Sequence, residues 1–87
     1  MEDSQAKAAE ALGLSLLEVR LGRSRDLLDV LFDKDPSIRA VCRSYGEAAL
    51  TRSQLRNDPE QADRLHIVEL LCETLENEVR GRLGPRG

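Results

Sequence analysis

Three groups of side chains in this sequence are of types that do chemistry. His66, Glu69, Glu73 and Glu76 fall within "HIVELLCETLE", and imidazole with carboxylates is a transition-metal ligand set. One helix presents such groups from a single side, however, and His66 is the only histidine in the chain. The set therefore reads as a solvated charged face. Cys42 and Cys72 could act as nucleophiles beside His66 in a cleft. At helical spacing both fall on apolar stripes while His66 points away, so they read as buried, inert thiols. A Cys42–Cys72 disulfide is geometrically conceivable but runs against a reducing cytosol. Arg20, Arg23, Arg39 and Arg43 could meet phosphates. The net charge of −3 and the lack of a basic block disfavour nucleic acid as a partner. No catalytic, cofactor-binding or metal-binding residue is assigned, and an enzyme is not expected.

The elements that would position these groups are legible from punctuation. Asp35-Pro36 and Asp58-Pro59 each fit an N-cap followed by the first helical residue, where proline's missing donor is not needed. Gln61 adds a capping-box-like partner to the second start. Ser15-Leu16-Leu17-Glu18 is a capping box in its own right, with Leu14 and Val19 at the staple positions and Gly13 suited to end a preceding helix. Gly81 and Gly84-Pro85 close the pattern. These signals predict helices over about 4–12, 16–33, 36–56 and 59–83. The fold class is all-α: an antiparallel bundle of three main helices with a short N-terminal helix, ending in a long helical hairpin. Residues 1–87 form a single helical domain, whose 2% aromatic content leaves a core of Leu, Val, Ile and Ala.

The apolar positions support that architecture. Leu65, Val68, Cys72, Leu75 and Val79 recur at steps of three and four. So do Leu17, Leu21, Ser24, Leu28 and Leu31, and between them Ile38, Val41, Cys42, Tyr45, Ala48 and Ala49. Folding about the two Asp-Pro turns sets Cys42 level with Cys72, and Leu28 near Val41. Gly22 and Gly46 fall at similar levels, where they could permit close packing. Leu16, Val19 and Val30, with Ile67 and Leu70, lie off these stripes and form a candidate interaction surface.

"DPSIRAVCRSYGEAAL", a polar turn and "ADRLHIVELLCETLENEV" together resemble small uncharacterised bacterial helical-hairpin proteins, over about residues 35–83. The positions that carry the resemblance are Asp35, Pro36, Ile38, Arg39, Cys42 and Tyr45, then Leu70, Leu71, Leu75 and Glu76. It implies a helical hairpin and no activity.

The expected function is a non-enzymatic helical protein–protein interaction module or small adaptor that self-associates as a homodimer or binds another helical protein. A small nucleic-acid-associated regulator using its arginines is the alternative reading, and a thiol or metal sensor a further one. The N-terminal "MEDSQAKAAEALGLSLLEV" has neither the basic flank nor the long apolar run of a signal peptide. The expected setting is cytoplasmic, without a membrane partner.

Overall fold

A computed structural model describes residues 2–22 and 25–83. Arg23, Ser24 and the Gly84-Pro85 stop lie outside the described residues. The described chain is helical without strands: α1 (Glu2–Leu21), α2 (Arg25–Lys34), α3 (Pro36–Leu55) and α4 (Ala62–Leu83), with a 3-10 turn at Pro59–Gln61 leading into α4. The all-α expectation holds, but the first two helices are divided differently from the sequence reading. Residues 4–12 do not form a separate short helix. They belong to a 20-residue α1 that runs through Gly13 and Ser15 without using the Ser15 capping box. Ala8, Ala9, Ala11, Leu12, Leu14, Leu16 and Leu17 are all strong helix formers, and they outweigh the cost of about 1 kcal/mol for one interior glycine.

The expected helix over 16–33 is instead broken after Leu21. Gly22 takes a positive φ of 55°, the left-handed conformation that commonly ends helices because glycine lacks a Cβ. The short helix is therefore α2, and it follows α1 rather than opening the chain.

Both Asp-Pro starts are N-caps. The Asp35 carboxylate accepts from the Ser37 amide at 2.9 Å, and Asp58 accepts from the Glu60 amide at 3.0 Å. The capping-box role expected of Gln61 is absent, since its side chain instead accepts from Arg64 at 3.5 Å.

α3 is the central helix, with α1 and α4 both packed on it. The contact with α1 is made at backbone distance. A Cβ added to Gly13 would land on the Cys42 carbonyl, and one added to Gly46 on the Ala9 carbonyl. Gly46, not Gly22, thus permits the close approach, and its counterpart is Gly13. As residue numbers rise on α1 they fall on α3, so the two run in opposite senses. On the other flank, Tyr45 meets Glu76 and Asp35 meets Arg82. These pairings set Cys72 against the turn from Tyr45 to Ala49, about one turn beyond Cys42. The two thiols share one core without standing level. That core joins Leu17, Leu28, Ile38, Val41, Cys42, Tyr45, Cys72, Leu75 and Val79. The molecule is a slab, with extents of 39 × 33 × 18 Å.

Chemical denaturation should separate the glycines. Gly13→Ala and Gly46→Ala should each lose at least ~2 kcal/mol, because the added methyl meets backbone rather than a movable side chain. Gly81, which has open space around its Cβ position, should gain ~0.5–1 kcal/mol as Ala. Equal effects at all three positions would contradict the crossing.

Candidate functional site

The acidic face read from α4 divides into two. Glu69 and Glu73 are exposed with His66, as expected of a solvated face. Glu76 turns inward and is only 7% exposed. Its Oε2 accepts a hydrogen bond from the Tyr45 hydroxyl at 2.8 Å. Its Oε1 faces the Arg20 guanidinium at 3.5 Å and, more distantly, Arg80 at 3.9 Å. This cluster ties together α1, α3 and α4, and periodicity alone gave no sign of it. Glu76 sits next to Leu75 and one turn after Cys72, at the margin of the apolar stripe. Its partner Tyr45, the chain's only tyrosine, was the available signal.

The phenol is buried, which raises its pKa, and donating to Glu76 raises it further while Arg20 opposes the shift. Facing the Tyr45 hydroxyl and then the Glu76 carboxylate, Arg20 is held above its ordinary value. Its side chain is still more than half exposed, so solvent screens most of the ion pair. The Tyr45–Glu76 hydrogen bond is the stronger tie, being charge-assisted and shielded.

Two of the four arginines of the alternative nucleic-acid reading are paired. Arg20 engages Glu76, and Arg43 lies 3.0 Å from Glu47. Both thiols are unpaired and buried. Burial pushes Cys42 up to about 11, with Glu10 and Glu18 adding to the shift, and Cys72 is raised chiefly by the same desolvation. Little thiolate forms at either near neutral pH. Among the described residues, no three His, Cys, Asp or Glu side chains stand where they could hold one metal ion. No helix of the described residues is long and apolar enough to cross a membrane.

The five residues proposed as an interaction surface fall in two places. On α1, Leu16 is half-buried and packs against the core, while Val19 is 82% exposed. Val30, also exposed, lies beyond the Gly22 break on α2, so these three do not share one helical stripe. Ile67 and Leu70 remain together on α4. Ile67 is 64% exposed and Leu70 about half, and Leu71 is exposed beside them. At 100° per residue, Ile67, Leu70, Leu71 and Thr74 cover one outward strip of α4. Thr74 turns its hydroxyl back to the Leu70 carbonyl at 2.9 Å, leaving its methyl to extend the strip. Ile67 also lines a shallow groove of about 420 Å³ with Thr51, Leu55 and Val68.

The chain matches no family model, no curated protein and no solved structure.

Two measurements test the buried cluster. Tyr45→Phe should cost ~1–3 kcal/mol by leaving a buried carboxylate short of a donor, whereas Arg20→Ala should cost under ~1 kcal/mol. Cys42 holds its proton more tightly folded than unfolded. Its contribution to stability is therefore complete below the ordinary value of 9.0 and declines as pH rises toward about 11. Equilibrium unfolding at a series of alkaline pH values should show that decline, reduced in Cys42→Ala.

Proposed function

We propose that this chain is a non-enzymatic helical protein–protein interaction module that associates with a second copy of itself. The observation that carries the reading is the outward apolar strip of α4, where Ile67, Leu70 and Leu71 stand exposed side by side. Contiguous apolar surface of this kind marks contact sites in small domains, whereas single exposed apolar residues do not.

In this reading α3 and α4 act as an antiparallel hairpin with α1 laid along it, a bundle whose outer helix face is left for a partner. The likeness of residues 35–83 to bacterial helical-hairpin proteins belongs to the same reading, as does a cytoplasmic setting. Among the described residues Arg20 and Arg43 pair with Glu76 and Glu47, which weighs against the nucleic-acid alternative.

Sedimentation velocity across a wide concentration series tests the proposal. The weight-average mass should rise from monomer toward dimer, and Leu70→Ser should lower that rise while helix content by circular dichroism stays the same. A monomer at the highest concentration would remove self-association.

A further inference from the structure

We draw no further inference here: the strongest candidate, the open groove between α1 and α3 lined by Ala8, Ala9, Leu12 and Leu50, is an unpartnered surface, and nothing in the structure shows what covers it.

Discussion

The backbone contact between α1 and α3 is the constraint on which the rest of the structure depends. At Gly13 and Gly46 the two helices approach so closely that neither position has room for a Cβ. With Gly13 seated on the Cys42 carbonyl and Gly46 on that of Ala9, the axial register of the pair is fixed. A shift by one residue would bring a side chain against a main-chain oxygen. Small residues at a crossing trade side-chain burial for dispersion contacts between backbones, which are individually weak and numerous at this distance. That suits a chain with only 2% aromatic residues, which has few large side chains to fill a wider gap.

Once α1 is fixed on α3, the position of α4 is settled by a polar contact within an otherwise apolar seam. Glu76 enters the core margin with its charge met by the Tyr45 hydroxyl and by Arg20. No side-chain nitrogen or oxygen buried among the described residues is left without a hydrogen-bond partner. Apolar stripes of Leu, Val and Ala tolerate slippage by a turn, whereas a buried carboxylate accepts only the register that supplies its donor. The same contact reaches from α4 to the last turn of α1, next to the Gly22 break. It therefore links the two flanking helices that the α1–α3 crossing alone would leave independent.

A slab built on one central helix leaves outer faces uncovered, and the α4 strip is where that architecture and the functional reading meet. α4 uses Cys72, Leu75, Val79 and Leu83 against the core, and Ile67, Leu70 and Leu71 stand exposed outside that stripe. A helix that is apolar on two sides has more apolar surface than one neighbour can cover. In a chain of this size, association is one physical remedy for a core that is small relative to its surface, and it is the one the proposed function takes.

The sequence by itself determined the helical class, the start of α3, the capped turn that leads into α4, and most of the core. Those features rest on local chemistry. An Asp-Pro pair caps a helix whatever surrounds it, and the spacing of Ile38, Val41, Cys42 and Tyr45 defines one face without reference to a partner. The division of the first thirty residues was decided only by tertiary structure. Ser15 and Gly13 together carry a strong local signal for a helix boundary, and Gly22 carries a weaker one. Packing of Gly13 on Cys42 favoured a continuous α1 and left the turn to Gly22. Glu76 was likewise misread from periodicity, because its place at the edge of a stripe is ambiguous until the Tyr45 hydroxyl stands opposite. The continuity expected of Leu16, Val19 and Val30 failed for the same reason. A stripe is a property of one helix, and only the folded chain shows where that helix ends.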